Sequence, residues 1–243
     1  MRSLPALAVA LLAAGCASGT VQPARFVEIL EGTTRVTCRG RGMDGVFGSR
    51  LARGPMLVAS RDGRAAWVEV EAQALGVDSD EGTCQNVSRL WIREGDRSAI
   101  AFAQKPGWEG RNGNAIDLID WSPDGSRLLL ELHTWTYPTD PVDPTLLVWD
   151  SRTRTVEQVD AAQRLAARFG AACRYRLLGR GFAPDGAIVF QAEPFAEAGA
   201  RCSEGPGIWR IAPGAGGLAI AEEPSRWSTS TTPPAVKNRT PIE

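Results

Sequence analysis

Short apolar runs separated by turns rich in Gly, Pro, Asp and Ser follow one another along most of the chain. Runs of this length and composition are typical of β-strands joined by hairpins. Three stretches share one layout, in which an apolar segment enters a turn ending in Asp-Gly and a strand-like run follows: ASRDGRAAWVEV, WSPDGSRLLLEL and FAPDGAIVFQAE. Their aspartates, Asp62, Asp124 and Asp185, are separated by 62 and 61 residues. This near-equal spacing predicts a repeated structural unit.

The chemistry of the shared turn explains its residues. An aspartate can accept a hydrogen bond from the backbone two residues further on, and proline at the second turn position has its φ already near the required value. Glycine adopts the positive φ that ends such a turn without a steric penalty. We therefore expect the three aspartates to shape turns rather than to take part in catalysis.

The agreement between the three stretches continues downstream. Each is followed by a polar loop, an aromatic-bearing strand (SRLWIR, TLLVWD or GIWRIA), a turn and a fourth apolar stretch (SAIAFA, TVEQV or LAIAE). Each unit therefore predicts four short strands joined by hairpins. Trp91, Trp149 and Trp209 recur at matching places, which favours packing between units over ligand binding.

Four-stranded units repeated along a chain are typical of β-propellers. The phrase WSPDGSRL resembles the Pro-Asp repeat of TolB-type, WD-repeat-like propellers of exported bacterial proteins, and the resemblance covers about residues 55 to 222. It implies an all-β, β-propeller-like domain with three recognisable four-stranded blades. The stretch from Phe26 to Arg41 predicts one further hairpin, turning at EGTT. We expect a small, irregular four-bladed ring; the alternative is an open arc whose edge strands need a partner.

One helix is predicted, in DAAQRLAARFG between the second and third units. Asp160 suits its N-cap and Gly170 its end. It should pack on the sheet through one face, formed by Ala162, Leu165, Ala166 and Phe169.

The N-terminus has the layout of a secretory signal peptide over residues 1–15, with an apolar run too short to span a bilayer. LAAGC, ending at Cys16, resembles the lipobox of bacterial lipoproteins, which implies lipidation of Cys16. Ala17 after it resembles the sorting signal for the outer membrane. The alternative is an ordinary signal peptide with a chance cysteine. We then expect a tether over 16–25, the propeller-like domain over 26–223 and a Ser/Thr/Pro-rich disordered tail over 224–243.

Four further cysteines in an exported chain predict two disulfides, with three connectivities open. In a propeller blade the first strand starts at the end where the loop between the second and third strands lies. Because Cys173 precedes a first strand and Cys202 lies in such a loop, these two should pair. By the same geometry, Cys38 should pair with Cys84.

Composition and charge exclude several classes of function. A net charge of −1 gives no electrostatic footprint for nucleic acid. His133 is the only histidine and no GxSxG motif occurs, so a Ser-His-Asp hydrolase and multi-histidine metal sites are not expected. We predict no metal or cofactor, and a structural or surface role for His133. The acidic run Asp78–Glu81 and the aspartates Asp140 and Asp143 are interpreted as loop residues.

Three aromatic residues in what the sequence predicts to be long polar loops are the candidate binding residues: Trp108, Trp135 and Tyr137. Exposed aromatics on loops of a rigid scaffold suit recognition of a partner. Our leading hypothesis is a non-catalytic envelope lipoprotein, exported and facing the periplasm, whose propeller binds another envelope protein. The alternative is a binding module for a glycan or small ligand, and an enzyme comes third.

Overall fold

The computed structural model describes residues 26–29, 36–39, 46–75, 83–106, 112–136, 144–195, 202, 207–213 and 217–221. Side chains are described from residue 51 onward, except at 73–84, 112 and 136 and in the gaps between these ranges. The signal peptide, Cys16, the tether and the tail predicted from the sequence lie outside the described residues, as do Trp108, Tyr137, Asp140, Asp143 and the run Asp78–Glu81.

The described strands form one hairpin and three antiparallel sheets. The hairpin comprises β1 (Phe26–Ile29) and β2 (Val36–Arg39). The first sheet comprises β3 (Val46–Arg53), β4 (Leu57–Val58), β5 (Ala65–Leu75), β6 (Thr83–Glu94) and β7 (Arg97–Gln104). The second comprises β8 (Asn112–Trp121), β9 (Arg127–Thr136), β10 (Thr145–Asp150) and β11 (Thr155–Gln158). The third comprises β12 (Tyr175–Phe182), β13 (Ile188–Pro194), β14 (Gly207–Ile211) and β15 (Leu218–Ile220).

Each sheet follows chain order, as the repeated pattern predicts. The strands β3 and β4 pair with different parts of β5 on the same side, so together they form one interrupted edge strand and the first sheet is four strands wide. The predicted hairpin is confirmed, with Ile29 opposite Val36, and it lies against β5 and β6. Three four-stranded units are thus present, whereas a closed ring is not seen among the described strands.

Consecutive sheets pack face to face through apolar side chains. Leu90 of the first sheet meets Leu128 and Leu130 of the second in a core from which water is excluded. Leu129, on the opposite face of β9, packs on Phe182 of the third sheet. Alternate residues of one strand therefore serve two interfaces, which explains the nearly continuous apolar run in LLLEL.

The three recurring tryptophans all pack against other side chains, and Trp149 and Trp209 are buried. Trp149 meets Trp121 edge to face, with ring centroids 5.8 Å apart, and the Trp121 indole also donates to the Leu57 carbonyl of the first sheet, at 3.1 Å. Trp209 is buried beside the helix. Trp91 stacks in parallel on Trp67, its cross-strand partner, at 5.9 Å. Trp149 and Trp209 thus belong to clusters that join neighbouring units, as predicted, whereas Trp91 packs within its own sheet.

The three Asp-Gly turns have the predicted geometry. Asp62, Asp124 and Asp185 each accept a hydrogen bond from the backbone N–H two residues later, at 3.0–3.1 Å. The glycine that follows each has a φ of +70°, +72° or +80°. Serine hydroxyls at 122 and 126 also donate to Asp124, and together with the backbone bond they lower its pKa from 3.8 to about 2.

An arginine after the turn connects each of the first two units to the next. Arg64 donates to the carbonyl of Gly125, at 2.9 Å, and Arg127 donates to the carbonyl of Gly186. The acceptor is in both cases the glycine of the next Asp-Gly turn. Glu94 of the first unit also links the first two units, because it pairs with both Arg64 (3.2 Å) of its own unit and Arg154 (2.9 Å) of the second.

The predicted helix is present as α1 (Ala161–Phe169), which packs on the third sheet through Leu165. Two details differ from the prediction. Asp160 stands at the N-cap without capping the backbone, because its carboxylate accepts from Arg164 one turn later, at 2.7 Å. The buried face contains Ala161 rather than Ala162, which is exposed. Leu165, Ala166 and Phe169 lie on the inner face as predicted.

The disulfide predicted between Cys173 and Cys202 is confirmed. It joins the segment that precedes β12 to the loop before β14, and the Tyr175 hydroxyl donates to the Cys202 carbonyl at 3.2 Å. The strands that carry Cys38 and Cys84, β2 and β6, contact each other. The side chains of these two cysteines lie outside the described residues, so their pairing stays a prediction.

Candidate functional site

Of the three aromatic residues proposed for binding, Trp135 is the one that the structure describes. Trp108 and Tyr137 lie outside the described residues. The placement of Trp135 in a loop is wrong, because β9 continues to Thr136. The alternation of His133 and Trp135 with Thr134 and Thr136 suits a strand, and threonine favours one. Trp135 is half-buried, and its ring covers Gly113 so closely that a Cβ there would overlap it.

The same strand pair brings three chemically active side chains together, which we name the carboxylate–histidine cluster: Asp117, Glu131 and His133. Asp117 on β8 lies directly opposite Glu131 on β9. Glu131 and His133 are two residues apart and so point to the same face of the sheet, the face that meets the third sheet. A β-bulge between Leu118 and Asp120 sets this register.

The Nε2 atom of His133 faces both carboxylates of the cluster. It lies 3.2 Å from Asp117 Oδ2 and 3.3 Å from Glu131 Oε2. The His133 and Glu131 side chains are only 12% and 9% exposed, whereas that of Asp117 is 34% exposed. The cluster is therefore closed on the Glu131 side and reaches solvent at Asp117.

The third sheet fixes the orientation of Glu131. The backbone N–H of Gly179 on β12 donates to Glu131 Oε1, which leaves Oε2 for His133. A Cβ at Gly179 would come within 3.3 Å of that same carboxylate. Glycine thus permits the close approach of β12 that satisfies this buried acid.

The electrostatic effect of the cluster is to favour the protonated histidine. Burial by itself lowers the pKa of His133, but its interactions with the carboxylates of Asp117 and Glu131 outweigh burial and raise the pKa from 6.5 to about 9. The two carboxylates thus stabilise the imidazolium form of His133. His133 is mostly buried, as a structural role would require, but it also interacts with two carboxylates.

A second junction of the second and third sheets lies nearby. Asp120 accepts a hydrogen bond from the Phe182 backbone N–H, at 3.2 Å. Burial raises the pKa of Asp120 even though its backbone hydrogen bonds with Phe182 and Trp121 act in the opposite direction. Gly181, which has a φ of +116°, passes so close that a Cβ would lie 2.7 Å from the Asp120 carboxylate.

A cavity of about 420 Å³ lies between α1, the start of β10, the end of β11 and the start of β12. Its wall combines apolar surface with polar groups, which suits small-ligand binding. Arg174 stacks on Phe195 at its rim, with the guanidinium carbon 5.3 Å from the ring centroid. Lining residues include Leu146, Gln158, Gln163, Tyr175 and Leu177.

No family model, curated protein or solved structure matches this chain. In the part of the chain that the structure describes, no helix has the length and apolar character needed to cross a bilayer. Sequence reasoning missed Asp117 and Glu131. The spacing of Glu131 and His133, two residues apart in a predicted strand, could have placed these two on one face, whereas nothing in the sequence places Asp117 beside them.

Proposed function

We propose that this chain is a non-catalytic lipoprotein of the bacterial cell envelope, anchored through Cys16 in the outer membrane and facing the periplasm, whose sheets act as a scaffold for a protein partner. The lipobox-like LAAGC supports the anchor, and the three stacked units support the scaffold. His133 is the only histidine, and its imidazole faces two carboxylates rather than the hydroxyl of a nucleophile. This arrangement supports the non-catalytic part of the proposal.

The observation that carries the scaffold proposal is an apolar strip on the interrupted edge strand of the first sheet. Leu51, Met56 and Val58 are 65%, 45% and 54% exposed. On their free side β3 and β4 have no hydrogen-bonded strand partner among the described residues. Arg53 of the same strand packs over the Trp67 ring, at 5.0 Å from its centroid. An edge strand with exposed apolar side chains is suited to pairing with an extended segment of another protein.

Site-specific cross-linking in native membranes tests this proposal. A photoreactive residue at position 58 should give one reproducible cross-linked protein, and Leu51→Glu should abolish that product. Ile100→Glu is the matched control, because Ile100 is 48% exposed on β7 at the opposite edge of the same sheet. Equal cross-linking from positions 58 and 100, or no effect of Leu51→Glu, would contradict a partner at the β3–β4 edge.

The cavity beside α1 favours a second candidate function, a binding module for a glycan or another small ligand. Phe195 with its stacked Arg174 offers a flat surface for a sugar ring, and Gln158 and Gln163 offer hydrogen bonds. Retention of the protein on purified peptidoglycan or polysaccharide, lost in Phe195→Ala but kept in Leu51→Glu, would favour this function. The reverse pattern would favour the scaffold.

A further inference from the structure

We propose that the carboxylate–histidine cluster of Asp117, Glu131 and His133 is a binding site for one divalent transition-metal ion, with Zn²⁺ as its representative. This inference is independent of the protein-binding function proposed above. It revises the expectation from the sequence that no metal site is present. Four features of the cluster support it: the types of ligand, their spacing, the direction of the histidine nitrogen and the groups around them.

The ligand types suit such an ion. An imidazole nitrogen and two carboxylate oxygens are common ligands of Zn²⁺ and related divalent ions. The ion would replace the proton on the His133 imidazole, which is released to solvent, and two carboxylates would balance the charge of the ion. All three side chains project from paired strands rather than from loops, which keeps the ligand atoms in place without the ion.

The spacing of the ligand atoms also fits. Zn–N and Zn–O bonds are about 2.0–2.2 Å long, so neighbouring ligand atoms of a tetrahedral site lie about 3.3–3.5 Å apart. The His133 Nε2 atom is 3.2 Å from Asp117 Oδ2 and 3.3 Å from Glu131 Oε2. Two of the three pairs of ligand atoms therefore have the spacing of such a site, and the third, between the two carboxylate oxygens, is at most 4.8 Å.

The direction of the histidine nitrogen also suits a shared ion. The Nε2 atom is buried and faces both carboxylates, at 3.2 Å from Asp117 Oδ2 and 3.3 Å from Glu131 Oε2. An ion bound to this nitrogen would therefore lie beside an oxygen of each carboxylate.

The surroundings of the cluster complete the argument. Ligating carboxylates are usually held by a further hydrogen bond, which orients them toward the metal. Glu131 has this support, because its Oε1 accepts from Gly179 while Oε2 stays directed at the cluster. Asp117, which is 34% exposed, lies where an ion can enter from solvent and where water can complete the coordination.

The test is Zn²⁺ titration of the full-length protein, purified in detergent without a histidine tag and with any free thiol alkylated. Because His133 is the only histidine, the imidazole signals in a ¹⁵N-labelled sample report on this site alone. We expect one Zn²⁺ per chain by calorimetry and saturable shifts of the His133 nitrogen signals at the same stoichiometry. Co²⁺ should bind in its place and give visible absorption of a nitrogen–oxygen ligand set.

Variants separate this site from other metal-binding groups. Changing outer-shell groups alone typically weakens metal binding about 10–100-fold, so Asp117→Asn and Glu131→Gln should weaken it at least tenfold. His133→Gln should abolish binding. Glu71→Gln is the matched control, an exposed acid on the first sheet paired with Arg89, and should leave the affinity unchanged.

The outcomes are decisive even if Glu131→Gln impairs folding, because Asp117 is more exposed and its amide variant keeps a similar shape. Zn²⁺ binding that persists unchanged in Asp117→Asn and His133→Gln would be adventitious and would overturn the proposal. His133 signals that do not respond to Zn²⁺ would also overturn it, and would leave the cluster as an internal ion pair.

Discussion

Replacing Gly181 with alanine should strongly destabilise the junction of the second and third sheets. The φ of Gly181 is +116°, a region that residues with a Cβ rarely adopt. The added Cβ would also lie 2.7 Å from the Asp120 carboxylate, which is the acceptor for the Phe182 N–H. The substitution therefore strains the backbone and displaces a buried hydrogen-bond acceptor.

The two effects can be estimated separately. Holding a non-glycine residue in a sparsely populated backbone region costs about 1–3 kcal/mol. A hydrogen bond to a charged group contributes about 1.5–3 kcal/mol. Since Asp120 is half-buried, the carboxylate has little room to move away without losing Phe182. We expect Gly181→Ala to lower the free energy of unfolding by about 3–5 kcal/mol.

Urea unfolding followed by tryptophan fluorescence measures this loss. Gly63→Ala is the control: Gly63 has a φ of +70° and a Cβ added there would have no neighbouring atom within 4 Å, so that variant reports backbone strain alone. It should cost about 1–2 kcal/mol. In the Asp120→Ala/Gly181→Ala double variant the crowding disappears, and the combined loss should be smaller than the sum of the two single losses. Equal destabilisation by Gly181→Ala and Gly63→Ala would refute the role assigned to Asp120.

Further predictions concern pH, the disulfide and the anchor. Because the fold lowers the pKa of Asp124 from 3.8 to about 2, its contribution to stability is complete above about pH 4 and is lost as the pH falls toward 2. The melting temperatures of wild type and Asp124→Asn should therefore converge over that range, and a constant gap would contradict this. Replacing Cys173 and Cys202 with serine should lower the free energy of unfolding by about 2–4 kcal/mol. Peptide mapping without reduction should not find Cys84 joined to Cys202. Cys16→Ser should abolish incorporation of radiolabelled lipid, and continued labelling would exclude this anchor.

The repeated unit could be predicted from the sequence because its signals are local. The Asp-Gly turn depends on residues that contact one another within a few positions, and the strands on either side depend on apolar runs of about four to eight residues. The three sheets follow from these signals, and so does the pairing of Cys173 with Cys202, because it depends only on where strands begin and loops lie.

The carboxylate–histidine cluster could not be predicted in the same way, because a single residue decides its register. The β-bulge at Ile119 shifts the pairing of β8 with β9 by one position. Without it, Glu131 would lie opposite Leu118 instead of Asp117, and the two acids would not meet. Sequence patterns give strand positions but not bulges of this kind.

The two arginine contacts to the Asp-Gly turns both run from one unit to the next unit along the chain. Arg64 and Arg127 each reach forward to the carbonyl of the following Asp-Gly turn, whereas the third turn is followed by Ala187 and Ile188, which offer no such donor. Each of the first two units therefore makes an arginine contact whose acceptor is supplied by the unit that follows it in the chain. In an array of this kind, the stability of each unit depends partly on its interface with the neighbouring unit. Damage to the last unit should therefore weaken the middle unit before it affects the first.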